Sequence, residues 1–237
     1  MDKNSRGQYK RKEKPMTIAE GAGRARALIG RTFKIDARNK GSVGQDVERA
    51  VGLALSSRTL DFADGEMKAF RVNKRGRLSG TIALSQIGSS QIDTLLKKPA
   101  LWNTRFGKKA LKILLVLYKK IKEDEVEICD VILFDANDPL FAAMRDGMEQ
   151  DFFDIVDMVK NDITVSQNGK MHTASGKYMQ IRTKDTRDKK TGNYHPIYSN
   201  QLGRYVSDKN FAFYIRRSFL DDIMDAIAGR SIQASCA

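Results

Sequence analysis

Two short apolar runs constrain this chain more than anything else in it. KILLVLY (112–118) and VEICDVILFD (126–135) are dense in Ile, Leu and Val, and each is short enough to read as a strand buried or half buried in a common sheet. Further strands are predicted at TIALSQI (81–87), after a turn around Gly76, within GKYMQIRTK (176–184), and at the start of FAFYIRRSFLDDIMDAI (211–227), whose remainder reads as a closing helix. Helical spacing marks Val43, Val47, Ala50, Val51 and Ala54, with Glu48 on the border of that stripe. A longer helix opens at Asp138 and Pro139 and passes through Phe141, Met144, Met148, Phe152 and Ile155 to Val159; it reads as packing with an acidic solvent face and is assigned no chemistry. The fold class is α/β with a mixed sheet.

At 237 residues the chain suits one sizeable domain, read here as 17–237 behind a flexible basic arm at 1–16. No apolar run is long enough to cross a bilayer, and the N-terminus lacks the apolar core of a secretory signal. Cys129 and Cys236 supply neither a disulfide framework nor a zinc site, so a cytoplasmic location is expected. The net charge of +13 is segregated: residues 97–122 carry nine Lys or Arg and no acid, whereas 123–162 carry two against thirteen. Separate basic faces of this kind suit a polyanion partner.

LDFADGEMKAF (60–70) places Asp61, Asp64, Glu66 and Lys68 among apolar neighbours. From Asp64 onward the residues alternate, which predicts a strand with Asp64, Glu66 and Lys68 on one face. An acid followed by E-x-K offers hard oxygen ligands for Mg²⁺, with the carbonyl between Glu66 and Lys68 as a further donor and Lys68 placed to orient a metal-bound water. Glu48 and the lysines at 108, 109 and 112 extend this into a metal pocket facing a phosphate-binding wall. Against it stands a plain exposed strand with alternating charges. His172 and His195 lie in polar loops, and neither a phosphate loop of the G-x-x-x-x-G-K-[ST] form nor a dinucleotide glycine pattern is present, which disfavours histidine nucleases, ATPases and dehydrogenases.

NKGSVGQDVERAVGL, LDFADGEMKAF, GRLSGTIALSQI, KKALKILLV, EQDFFDIVDMV, GKYMQIRTK and NFAFYIRRSF follow in an order that resembles the MutH-type DNA endonucleases: the mismatch-repair enzyme and related GATC-cutting type II restriction enzymes of the PD-(D/E)xK superfamily. The resemblance implies a restriction-endonuclease-like mixed central sheet flanked by helices, with a DNA-binding cleft between a catalytic lobe (17–135) and a DNA-reading lobe (136–237). It implies Asp61 and Glu66 as metal ligands, Lys68 as the catalytic lysine, Glu48 as a further acid, and Lys109 as a second active-site lysine. Lys108 or Lys112 remains the alternative to Lys109, and Asp64 the alternative to Asp61. Lys40, Gly41, Arg182, Lys184 and Tyr214 would contact DNA, and Arg216 its backbone. The activity implied is Mg²⁺-dependent cleavage of double-stranded DNA, with a homodimer acting on a palindromic site; a strand-nicking repair enzyme and a non-catalytic DNA-binding protein are the alternatives. The loop DTRDKKTGNYHPIYSNQLGRYVSDKN departs from the mismatch-repair enzyme, which leaves the target sequence open.

Overall fold

A computed structural model describes residues 15–36, 42–53, 59–73, 80–161, 173 and 175–235. In chain order its elements are α1 (Ile18–Arg26), β1 (Thr32–Lys34), α2 (Ser42–Val51), β2 (Glu66–Val72), β3 (Ile82–Ile87), α3 (Ser89–Leu96), α4 (Arg105–Ala110), β4 (Lys112–Lys122), β5 (Glu125–Asp135), α5 (Ala142–Lys160), β6 (Met179–Thr183), β7 (Ile197–Ser199), β8 (Arg204–Ser207), β9 (Phe211–Ile215) and α6 (Arg217–Ser235).

The two apolar runs form an antiparallel pair, β4 with β5, in which Ile113 faces Phe134, Leu115 faces Ile132 and Val116 faces Val131. Because side chains alternate across a sheet, Ile113, Leu115 and Leu117 enter one core while Leu114 and Val116 enter another on the opposite face. The second core is closed by α1 and α2 through Ile18, Ala22, Ala25, Val47 and Val51. A hydrogen-bonded capping box, Thr17 with Glu20, starts α1. β2 runs parallel to β4 and β1 antiparallel to β5, giving the order β1-β5-β4-β2, a mixed sheet as the sequence predicts.

The strands do not all join that sheet. β3 pairs with β9, and β9 with β6, in a separate three-stranded antiparallel sheet. β7 and β8 form a two-stranded ribbon. Alternation reveals that a segment is extended but not which edge it pairs with: TIALSQI reads as a second strand following a turn, and it pairs with a strand over a hundred residues on. A division at 135 therefore leaves β3 in the first part and both of its sheet companions in the second.

Three local expectations are corrected. β2 starts at Glu66, so Asp64 does not share its charged face. Ala50 of α2 is exposed rather than part of the buried stripe. The acidic face of α5 is not all solvent: Asp151 is 5% exposed and accepts the amides of Lys177, Tyr178 and Met179 at 2.9, 2.5 and 2.8 Å, tying α5 to β6. Met16 packs against the second core. The remainder of the expected arm up to residue 14, with Lys40, Gly41, Ala54, the turn around Gly76, His172 and Cys236, lies outside the described residues.

Candidate active site

The turn ahead of β2 decides where the acids of LDFADGEMKAF go. The Phe62 amide donates to the Gly65 carbonyl at 2.9 Å, and the Ala63 amide to the Met16 carbonyl at 2.8 Å. Gly65 lies so close to Ile18 and the Lys112 carbonyl that a Cβ there would fall 2.5 Å from the Ile18 side chain and 3.0 Å from that oxygen. Phe62 is buried against Gly21 of α1. With the turn pinned in this way, the two aspartates diverge. Asp64 Oδ1 accepts the Ile18 amide at 2.8 Å, at the first turn of α1, and its other oxygen lies 3.5 Å from Lys112 Nζ. Asp61 folds back along β2, where its Oδ2 accepts the Met67 amide at 2.9 Å.

Glu66 is 2% exposed and opens β2. Its Oε1 accepts from Lys68 Nζ and from Lys109 Nζ, each at 2.7 Å, and Lys68 Nζ also lies 3.7 Å from Asp61 Oδ2. Two carboxylates thus converge on one ammonium. The other Glu66 oxygen, Oε2, is buried and has no hydrogen-bond partner among the described residues. Burying an ionised carboxylate costs roughly several kcal/mol unless its oxygens are satisfied, so the unpaired oxygen is one that a cation or a hydrogen-bond donor would stabilise.

Lys109 reaches the site from α4, a short helix whose Thr104 cap accepts the Gly107 amide at 2.8 Å. The neighbouring lysines do not join it. Lys108 is exposed, and Lys112 is held by Asp135 at 3.2 Å and by Asp64, contacts that raise its pKa with the Asp135 hydrogen bond as the leading cause.

Two further residues feel the cluster. Glu48, half-buried on α2, has its carboxyl pushed up, first by burial and then by the charge of Asp61; Lys68 acts in the opposite sense. Lys184 has its ammonium pushed down, again first by burial and then by repulsion from Lys68 and Lys109. The backbone of Lys184 is clamped: its amide donates to the Asn210 carbonyl at 2.9 Å and its carbonyl accepts from Gln86 Nε2 at 3.0 Å. Lys184, read from sequence as a groove contact, therefore stands in the field of Lys68 and Lys109. That placement had no local signal, because it depends on where the second sheet meets the first.

The remaining expected DNA contacts lie at varying distance from solvent. Arg182 stacks on half-buried Tyr214, with 5.7 Å from guanidinium to ring centre, across the β6–β9 pair. Arg216 is half-buried and its guanidinium donates to the Gly176 carbonyl, so it serves the turn before β6. His195 is exposed and pairs with Asp185 at 2.9 Å, in keeping with a surface histidine.

Among the described residues no group of three or more His, Cys, Asp or Glu side chains is arranged as a metal cage. The donors that could hold a cation are Asp61, Glu66 through its open Oε2, and the carbonyl of Met67. Such hard oxygen ligands suit Mg²⁺, which keeps several waters and is commonly bound through one or two carboxylates.

No protein-family model matches the chain, and no curated protein sequence matches it. Among solved structures it is similar to the complex of restriction endonuclease MvaI with its cognate DNA substrate, at 12% identity and a TM-score of 0.46, over 87% of this chain and 94% of that one. No helix among the described residues is long and apolar enough to cross a membrane.

Proposed function

We propose that this chain is a Mg²⁺-dependent endonuclease for double-stranded DNA of the MutH type, most simply a type II restriction enzyme for GATC or a related site. The observation that carries the reading is the buried Glu66 carboxylate, one oxygen shared by Lys68 and Lys109 and the other unpartnered, beside Asp61.

A bound Mg²⁺ would lower the pKa of a coordinated water and offset charge building on a phosphate. Asp61 and Glu66 hold that cation in this reading. Lys68 orients the attacking water, and Lys109 steadies the phosphate oxygen opposite. Attack in line on phosphorus breaks the bond to the 3′ oxygen, leaving a 5′ phosphate and a 3′ hydroxyl. Glu48 sits at the margin of the pocket, and its raised pKa makes it a candidate proton acceptor. The catalytic lobe at 17–135 would meet the DNA-reading lobe at 136–237 across the bound duplex. One chain supplies one pocket, so a double-strand break needs either two copies meeting on a palindromic site or two successive nicks.

A digest of unmethylated supercoiled plasmid, wild type beside Lys68→Ala, with Mg²⁺ or EDTA, tests this. Discrete fragments that vanish with EDTA and with the variant support a restriction enzyme; open circles alone point to the nicking enzyme. Intact plasmid under every condition, with DNA still bound, leaves a non-catalytic DNA-binding protein.

A further inference from the structure

Between Lys184 and Asn210 the chain leaves the edge of the candidate active site and returns to it, and what it carries in between is neither loose nor buried. Asp185 holds both ends: its carboxylate accepts the amides of His195 at 2.8 Å, Asn210 at 3.1 Å and Thr186 at 2.8 Å. Asp188 is likewise spent on backbone, accepting the Lys190 and Thr191 amides at 2.9 and 2.8 Å around a turn that passes through Gly192 at φ 70°. These carboxylates are taken up by backbone amides rather than by the neighbouring cations. Arg187 and Lys209 both lie over the ring of Tyr194, at 5.2 and 4.2 Å from its centre, and neither has a carboxylate partner among the described residues. An aromatic ring holds a cation in place without neutralising it.

The ribbon β7–β8 follows directly. Tyr198 and Tyr205 are cross-strand neighbours whose rings meet edge to face at 5.1 Å, yet they are 38% and 63% exposed. The ribbon is mounted on α3: Asp93 accepts from the Ser199 hydroxyl at 2.6 Å and from the Asn200 and Gln201 amides. Gly203, at φ 63°, lets the tip turn tightly.

We propose that this segment is a preorganised DNA grip, in which Arg187 and Lys209 contact backbone phosphates and Tyr198 and Tyr205 are the anchors that press on the duplex groove. Fixed unpaired cations and rigid exposed aromatics suit a polyanion with apolar edges, and a pre-set geometry lowers the entropy lost on binding. The inference rests on the reading of the chain as a DNA-binding protein.

The test is the salt dependence of binding to a duplex containing the cleaved site, followed by fluorescence anisotropy in EDTA with the full chain. The double variant Arg187→Gln/Lys209→Gln should make the slope of log K against log [salt] shallower by roughly two units, since each lost phosphate contact removes about 0.9. Lys120→Gln/Lys122→Gln, which removes the same charge at the β4–β5 turn, should leave it unchanged. Tyr198→Ala/Tyr205→Ala should weaken binding about tenfold with the slope kept, the scale of an interface anchor. Thermal melts confirm that each variant is folded. An unchanged slope in the first variant, or an equal loss in the Lys120/Lys122 control, overturns the grip while leaving DNA binding intact; failure of the wild type to bind any duplex removes both.

Discussion

Lys109 and Glu66 are 43 residues apart in sequence and 2.7 Å apart in space. The parallel register of β2 and β4, Glu66 beside Ile113, sets the starts of the two strands side by side, so a residue in the helix just before β4 falls next to the first residue of β2. Lys109→Met should therefore remove one of the two cations on a buried carboxylate and destabilise the fold by about 1–3 kcal/mol, as well as stopping cleavage. Lys108→Met, at an exposed position, should stay within about 0.5 kcal/mol of wild type. Urea denaturation of the two variants separates these outcomes, and equal losses would show that the α4–β2 contact is not selective.

The divergence of Asp61 and Asp64 predicts two different failures. Asp64→Ala should keep cleavage and lose roughly 0.5–2 kcal/mol of stability, the usual scale for losing a side chain that caps a helix start. Asp61→Asn should fold and fail to cut. Asp64→Ala protein that is stable but inactive would transfer the ligand role to Asp64.

Glu66 Oε2 predicts a metal effect on the protein without DNA. Added Mg²⁺ should raise the melting temperature, approaching about 2.7 kcal/mol of stabilisation at one hundred times Kd, and Glu66→Gln should abolish the rise. Scanning calorimetry over a Mg²⁺ series measures it. A wild-type melting temperature indifferent to Mg²⁺ would count against a preformed site.

The raised pKa of Glu48 carries a sign. A carboxyl that binds its proton more tightly in the folded state is comfortable below its unfolded pKa, and its ionisation costs stability as pH rises from the ordinary carboxylate value through the raised folded one. Glu48→Gln should flatten the fall in melting temperature across that window and leave stability at neutral pH equal or higher. Lys184, with its pKa depressed, carries the mirror-image cost: its contribution is present above the ordinary lysine value and is lost as pH falls. Lys184→Met should therefore raise the melting temperature of the DNA-free protein at neutral pH, more at low salt than at high, because repulsion from Lys68 and Lys109 is screened.

Asp151 offers a purely structural check. Asp151→Ala leaves three amides at the start of β6 without their acceptor, and a loss of about 3 kcal/mol or more is expected in denaturant melts.

By itself the sequence determined the local elements and the chemistry on offer. The β4 and β5 runs, the stripe of α5 and the E-x-K of β2 were legible because side-chain period and residue type are properties of neighbouring positions. Which strand pairs with which, and so which charges meet, was not. Alternation placed Asp64 with Glu66, yet the turn pinned by Met16, Ile18 and Phe62 sends it to α1 and brings Asp61 back instead. β3 read as a strand without a stated partner, and it joins β9. Lys184 read as a groove contact and feels the charge of Lys68 and Lys109, and Asp151 read as solvent face and is buried. Each of these depends on contacts between segments tens to more than a hundred residues apart, where packing and backbone hydrogen bonding choose among edges and faces that local pattern leaves equivalent.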